Sequence, residues 1–250
     1  MATGLLLLHA FPLDHDMWAP QVRALERWLP IVAPDFPGFG KAAASTFLPT
    51  IDGAADAAAD ALTRAGLDDA VVCGLSMGGY VALAFWRRHR ERVAGMVLAN
   101  TRGDADAEPA RERRRALARR LRQEGNVLVN EPPPLLSDRA PAEVAMLVKR
   151  IIANQSAQAI AAASEAMAER PDSTPNLREL SVKALVVSAE HDTLIPPDIT
   201  KAMAAQIPGS RFALIAGAGH LSNLEQPDAF NELLREHLRR CGVIEGDRPR

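Results

Sequence analysis

The chain has 250 residues and a mass of 26.9 kDa, enough for one large domain that buries roughly 70 to 75 % of its unfolded surface. Hydrophobic residues make up 48 % and charged residues 24 %, a composition typical of globular proteins that excludes disordered and fibrous classes. The formal net charge of -2 disfavours nucleic acid and acidic membranes as partners. We therefore expect a small-molecule ligand. The longest apolar runs fall short of the ~20 residues that a spanning helix needs, so we expect no transmembrane helix.

Cysteine and terminal patterns favour a reducing, cytoplasmic setting. Of the two cysteines, Cys73 lies in an apolar run that predicts a buried strand, which excludes a disulfide framework. The apolar start lacks the basic segment of a signal peptide. No Cys/His cluster or dinucleotide glycine pattern occurs, so we expect neither a metal nor an organic cofactor.

Short apolar runs alternate with helical patterns along the chain. Residues 4–8, 30–33, 70–74 and 94–100 predict strands, with helices over 18–29 and 52–65 between them. Two more strands are predicted at 183–189 and 211–216, with a helix over 198–207 between them and a last helix over 227–240. The pattern predicts an α/β fold with a mostly parallel, doubly wound sheet of about six strands and no N-terminal hairpin.

The stretch between the fourth and fifth strands has a different texture. It contains Ala, Arg and Glu at helical spacing, no β-branched runs, and a break at Glu131-Pro132-Pro133-Pro134. Residues 102–181 are too many for a simple loop between two neighbouring strands. We expect residues 1–101 and 182–250 to form one core and residues 102–181 a helical cap, or lid, over one sheet edge.

A nucleophile is predicted at Ser76. Gly74-Leu75-Ser76-Met77-Gly78 falls where a strand ends and a helix begins, and a serine on that sharp turn projects its hydroxyl above the sheet. The glycines leave the flanks of the turn free of side chains. The N–H of Met77 at the start of the helix, and the N–H of Phe11 in the loop after the first strand, are the two predicted donors to an oxyanion.

A serine hydroxyl needs a base, and a neutral imidazole needs an anchor for its second nitrogen. His220 and Asp192 each directly follow a predicted strand, so they share the ligand-binding edge of the sheet with the serine. His191 competes as the base, and Glu190 and Asp104 compete as the acid. The remaining histidines have structural interpretations: His9, His15, His89 and His237.

Substrate-binding candidates adjoin these catalytic elements. Leu13, Met17 and Leu194 are candidate pocket residues. Residues 110–122 hold seven arginines, which form a solvated helix face or, alternatively, supply an arginine to a substrate carboxylate. Arg102, at the base of this helix, is the named candidate for the second role.

Together these motifs resemble the α/β-hydrolases. The resemblance rests on the serine motif, His9-Ala10-Phe11-Pro12, Asp35-Phe36-Pro37-Gly38-Phe39-Gly40, Asp192 and Gly219-His220, in this chain order. Residues 11–18 and 219–225 look most like the small capped esterases and lactonases of the 3-oxoadipate enol-lactonase group. The sequence departs from the family at Ala10, where the family usually has glycine after the histidine.

We interpret the chain as a serine hydrolase, of the carboxylic ester hydrolase type, acting on a small ester or lactone without a cofactor. The same catalytic residues also fit a cofactor-free haloperoxidase that forms a peracid from a carboxylic acid and peroxide. A third interpretation is a ligand-binding signalling protein that keeps the fold with slow turnover.

Overall fold

A six-stranded sheet forms the centre of the structure, a computed structural model that describes residues 2–44 and 50–246. The strands are β1 (Thr3–Leu8), β2 (Ile31–Val32), β3 (Asp69–Leu75), β4 (Val93–Ala99), β5 (Ala184–Ala189) and β6 (Arg211–Ile215). They lie in the order β2-β1-β3-β4-β5-β6, and every neighbouring pair is parallel. The six predicted strands and their parallel arrangement are confirmed.

Helices cover both faces of this sheet. The α-helices are α1 (Ala19–Leu25), α2 (Ile51–Arg64), α3 (Met77–His89), α4 (Glu108–Glu124), α5 (Ala142–Ala153), α6 (Ala157–Ala168), α7 (Thr174–Leu177), α8 (Pro197–Ala204), α9 (Ser222–Glu225) and α10 (Pro227–Cys241). Short 3₁₀ helices are His15–Trp18, Gly40–Ala42, Arg90–Arg92 and Val127–Val129. Helix α2 packs on α3, α1 packs on α10, and α3 and α10 both contact β4. Among the described helices, none is long and apolar enough to cross a membrane.

The central strands carry continuous apolar runs because both of their faces are covered. Residues 5–8 of β1 are fully buried leucines, and residues 70–75 of β3 are buried without a break. A strand buried on both faces favours a continuous apolar run over an alternating one. This is why the strands could be identified from short apolar runs.

Two predicted elements are shorter than expected, and Pro30 lies between them. Strand β2 comprises only Ile31–Val32, because Pro30 has no N–H to give to the sheet. The helix predicted over residues 18–29 is instead the 3₁₀ helix His15–Trp18 followed by α1, which ends at Leu25. Pro30 disfavours helical backbone at the residue before it, and the residues between α1 and Pro30 form turns and a bend instead of helix.

Residues 102–181 connect β4 to β5 and are all described by the structure. They contain α4, α5, α6, α7 and the 3₁₀ helix Val127–Val129, and no strand. Helices α4 and α6 pack extensively on each other. The helical character predicted for this segment is therefore correct.

Candidate active site

Ser76 stands between β3 and α3 in a backbone conformation that few residues adopt. Its φ is 57° and its ψ is -116°, a strained combination for a residue that carries a side chain. The Ser76 N–H donates to the Ala99 carbonyl at 2.9 Å, and the Ser76 carbonyl accepts from the Thr101 hydroxyl at 2.8 Å. Both bonds tie the turn to the end of β4. They hold the serine at the edge of the sheet formed by the carboxyl ends of the strands.

The two glycines of the turn are required by close backbone approaches. A Cβ atom at Gly74 would lie 2.1 Å from the Gly78 carbonyl oxygen. A Cβ at Gly78 would lie 2.0 Å from the Leu8 carbonyl oxygen. The first turn of α3 therefore packs directly against β3 and the end of β1, and a side chain at either position would push the helix away from the sheet.

His220 and Asp192 are joined by a hydrogen bond at the same edge of the sheet. His220 follows β6 and Asp192 follows β5. The His220 Nδ1 lies 2.8 Å from Asp192 Oδ2, and both side chains are almost wholly buried. This bond fixes the orientation of the imidazole and leaves its Nε2 toward the remaining site.

The Asp192 carboxylate accepts hydrogen bonds on both oxygens. Besides His220, it accepts from the N–H groups of Leu194 at 3.0 Å and Ile195 at 2.9 Å, and from the Asn100 amide at 2.9 Å. Burial by itself would raise the pKa of Asp192. The hydrogen bond and charge of His220, with the Ile195 and Asn100 donors, outweigh burial and hold that pKa below its ordinary value.

Asn100 is a site residue that the sequence analysis did not single out. It follows β4 with φ of 46°, donates to Asp192 through its amide nitrogen, and accepts from the Ser222 hydroxyl at 2.7 Å through its oxygen. A polar residue directly after a buried strand, next to the predicted ligand edge, was the available signal. No local pattern indicated its partner Asp192, which lies 92 residues away.

A cavity of about 360 Å³ opens beside the serine. Residues from the sheet edge and its loops line one side: Phe11, Ser76, Tyr80, Leu194, Ile195 and His220. Residues from the 102–181 segment line the other: Arg102, Asp106, Ala110, Arg113, Arg114, Leu117, Pro133, Leu135 and Met167. The cavity thus brings the predicted nucleophile and base together with Arg102 and Leu194.

The Phe11 and Met77 amides are free donors near this cavity. Met77 is the first residue of α3, so its N–H has no partner within the helix. Phe11 lies in the loop after β1, and the peptide bond that joins it to Pro12 is cis. Within residues 2–44 and 50–246, neither amide donates a hydrogen bond.

Leu13 and Met17 do not line the cavity. Both side chains are fully buried in the hydrophobic core. The Met17 sulfur accepts a hydrogen bond from the Ala10 N–H at 3.1 Å, so Met17 supports the loop that carries Phe11. Proximity in sequence to this loop did not fix the direction of either side chain.

The competing acids and bases lie elsewhere. His191 and Glu190 are exposed, and the Glu190 carboxylate accepts the Gly217 N–H at 2.9 Å. Asp104 is paired with Arg102 through two hydrogen bonds. His220, the predicted base, therefore has Asp192 as its acidic partner.

One group of potential metal ligands, Asp14, His15 and Asp16, is found among the described residues. The Asp14 carboxylate accepts from the Asp16 N–H and the Gln155 amide, and His15 Nδ1 is bonded to Asp35. The Asp14 carboxylate and His15 Nδ1 thus already interact with other protein groups. Burial raises the pKa of Asp14 above its ordinary value.

Comparisons with known proteins agree with this fold. Residues 5–233 match the family described as "Alpha/beta hydrolase family". The 3-oxoadipate enol-lactonase 1 of Acinetobacter baylyi is 26 % identical over 235 residues, which span 93 % of this chain and 87 % of the relative.

Two solved structures extend the comparison. A thermophilic esterase from Thermogutta terrifontis, solved with malate bound, is 40 % identical, with a TM-score of 0.91 over 96 % of this chain and 92 % of the other. The enol-lactonase from Burkholderia xenovorans is 27 % identical, with a TM-score of 0.84 over 96 % and 92 % of the two chains. The resemblance stated from the sequence motifs is confirmed.

Proposed function

We propose that this chain, which belongs to the alpha/beta hydrolase family, is a serine hydrolase that cleaves a small carboxylic ester or lactone through an acyl-enzyme on Ser76. One observation carries the proposal. Ser76 and His220 line the same cavity, and the second nitrogen of His220 is bound to a buried, ionised Asp192.

In this mechanism Ser76 Oγ attacks the carbonyl carbon while Nε2 of His220 takes its proton. His220 then returns the proton to the departing alcohol oxygen. Water, deprotonated by the same nitrogen, attacks the acyl-enzyme and releases the acid. Asp192 holds the tautomer with its proton on Nδ1 and stabilises the imidazolium formed at each step.

The amides of Phe11 and Met77 are the proposed oxyanion donors. Support comes from their lack of any acceptor among the described residues and from the position of Met77 at the first turn of α3, where the helix dipole favours negative charge. Donors held in place before the reaction begins cost no reorganisation when the charge develops.

We assign residues 102–181 the role of a lid over a core formed by residues 1–101 and 182–250. Nine of the fifteen residues that line the cavity come from this segment. The lid would exclude water from the acyl-enzyme and determine which substrates fit. A cavity of about 360 Å³ suits small substrates. The esterase and enol-lactonase names of the relatives point to the same class of reaction.

The test combines turnover with active-site labelling. Initial rates are measured on 4-nitrophenyl acetate, butyrate and octanoate and on a series of lactones, for the wild type, for Ser76→Ala and for the control Ser210→Ala, whose hydroxyl bonds to Ala204 away from the cavity. Wild type and control should turn over, and Ser76→Ala should lose at least about a thousandfold in kcat. A fluorophosphonate should add one adduct to the wild type and none to Ser76→Ala.

Other outcomes separate the alternatives. Acetate-dependent bromination with peroxide, in place of ester hydrolysis, would indicate a haloperoxidase. Tight binding of a small molecule without turnover on any ester or lactone would indicate a signalling protein. Full ester turnover by Ser76→Ala would refute the proposed nucleophile.

A further inference from the structure

Helix α4 carries a series of arginines that are almost all neutralised within the protein. Six of the seven arginines of residues 110–122 form ion pairs with carboxylates. The pairs are Arg111–Glu169, Arg114–Asp106, Arg115–Glu169, Arg119–Glu112, Arg120–Glu131 and Arg122–Glu165. Most of this charge therefore ties α4 to neighbouring segments or lies on its solvated face.

Arg113 is the exception. Among the residues that the structure describes, it forms neither an ion pair nor a hydrogen bond. Its exposed side chain lines the cavity that contains Ser76 and His220. Ala110, Arg114 and Leu117 line the same cavity. Ala110 lies three residues before Arg113 and Leu117 four residues after it, which places these three on one helix face.

The other guanidinium groups near this wall are already held by carboxylates. Arg102 makes two hydrogen bonds to Asp104. Arg114 and the buried Arg170 share Asp106, which lies 2.9 Å from Arg170. Four guanidinium groups thus face two carboxylates, which leaves a surplus of two positive charges. Within the described part of the chain, Arg113 is the one of the four that contacts no carboxylate.

We propose that Arg113 binds a carboxylate of the substrate remote from the scissile carbonyl, so that the preferred substrates are half-esters of dicarboxylic acids or lactones that carry a carboxylate. This inference rests on the proposed ester hydrolysis and adds its substrate class. A planar guanidinium offers two parallel N–H donors that match a carboxylate. The surplus of positive charge at the cavity wall, in a chain whose net charge is -2, attracts anionic substrates to this mouth.

The turnover test compares two 4-nitrophenyl esters of similar length at low ionic strength: the hemiester of glutaric acid, which is anionic, and the pentanoate, which is neutral. For each protein the ratio of kcat/KM on the anionic ester to that on the neutral ester is measured. Arg113→Gln should lower the ratio about tenfold, a modest effect because the side chain is exposed. Added salt should lower the wild-type ratio as well.

The matched control is Arg119→Gln, which removes an arginine from the same helix that is paired with Glu112 and does not line the cavity. Its ratio should stay within about twofold of the wild type. An unchanged ratio in Arg113→Gln would overturn the proposal. An equal fall in Arg119→Gln would also overturn it, since the general field of the helix would then be responsible. A fall seen only in Arg102→Gln would assign the carboxylate to Arg102 instead.

A binding measurement separates this inference from the proposed reaction. The half-ester is titrated by calorimetry into Ser76→Ala and into Ser76→Ala with Arg113→Gln, neither of which needs to turn it over. The second protein should bind about tenfold more weakly, and equal affinities would refute the role of Arg113. Loss of ester hydrolysis as a whole would refute the proposed function without changing this comparison.

Discussion

Replacing His9 by glutamine should remove part of the acid sensitivity of the fold. His9 follows β1, is fully buried, and lies against Phe36 with ring centroids 4.1 Å apart. Its Nε2 accepts the Phe36 N–H at 3.0 Å, and its Nδ1 lies 3.1 Å from the Ala10 carbonyl oxygen. The neutral tautomer with the proton on Nδ1 satisfies both contacts. A proton on Nε2 would face the Phe36 N–H and break that bond.

Burial lowers the pKa of His9 from 6.5 to about 4, against smaller raising effects of the Ala10 carbonyl and Asp35. The folded pKa is below the unfolded one, so between pH 6.5 and about 4 the unfolded chain binds more protons at this site. The contribution to stability is complete above pH 6.5 and is lost as the pH falls toward 4. Relative to its value above pH 6.5, the free energy of unfolding falls by about 2 kcal/mol at pH 5 and by about 3 kcal/mol below pH 4 because of this shift.

The assay is urea unfolding at pH 7.5 and pH 5.0 for the wild type, His9→Gln and the control His191→Gln. Glutamine keeps an acceptor for the Phe36 N–H but does not titrate. The fall in unfolding free energy between the two pH values should be about 2 kcal/mol smaller in His9→Gln than in the wild type. The exposed His191 should make no difference. An equal fall in His9→Gln and wild type, or a His9 ring that titrates near pH 6.5 by NMR, would refute the reasoning.

Two further substitutions test the support of the site. Asn100→Gly keeps the positive φ but removes the donor to Asp192 and the acceptor for Ser222, so kcat on 4-nitrophenyl acetate should fall about tenfold; an unchanged kcat would exclude a positioning role. Gly78→Ala places a methyl group 2.0 Å from the Leu8 carbonyl oxygen and should cost about 3 kcal/mol or more in urea unfolding. Gly103→Ala, which would meet only the side chain of Leu177, should cost about 1 kcal/mol or less, and equal losses in the two variants would contradict the packing argument.

The sheet was predictable because a parallel sheet buried on both faces imposes a simple pattern on each strand. Short apolar runs separated by helical segments identified all six strands, and the carboxyl ends of these strands determined where polar residues could meet. The bond between His220 and Asp192 follows the same logic, because each residue directly follows a strand and β5 neighbours β6. Local signals were sufficient wherever the backbone alone brings residues together.

Local signals failed where a side chain has a choice of direction or partner. Leu13 and Met17 adjoin the Phe11 loop in sequence, yet both enter the core. The arginines of α4 showed a surplus of charge, but their partners lie on α4 itself, on α6 and in loops up to 58 residues away. Among the described residues Arg113 has no partner, and its place in the cavity lining became visible only from the packing of the segment that contains α4 and α6.

The hydrogen bonds around Asp192 also determine how the proposed mechanism can run. Each carboxylate oxygen accepts two donors: Oδ1 from the N–H groups of Leu194 and Ile195, and Oδ2 from Asn100 and His220. A proton on Asp192 would have to displace one of these donors, which is why the pKa of this carboxyl is lowered despite its burial. In the proposed mechanism Asp192 therefore stays charged while His220 gains and loses a proton, and the Nδ1 proton stays in place. Nε2 is then the nitrogen that exchanges protons with Ser76, the leaving group and water.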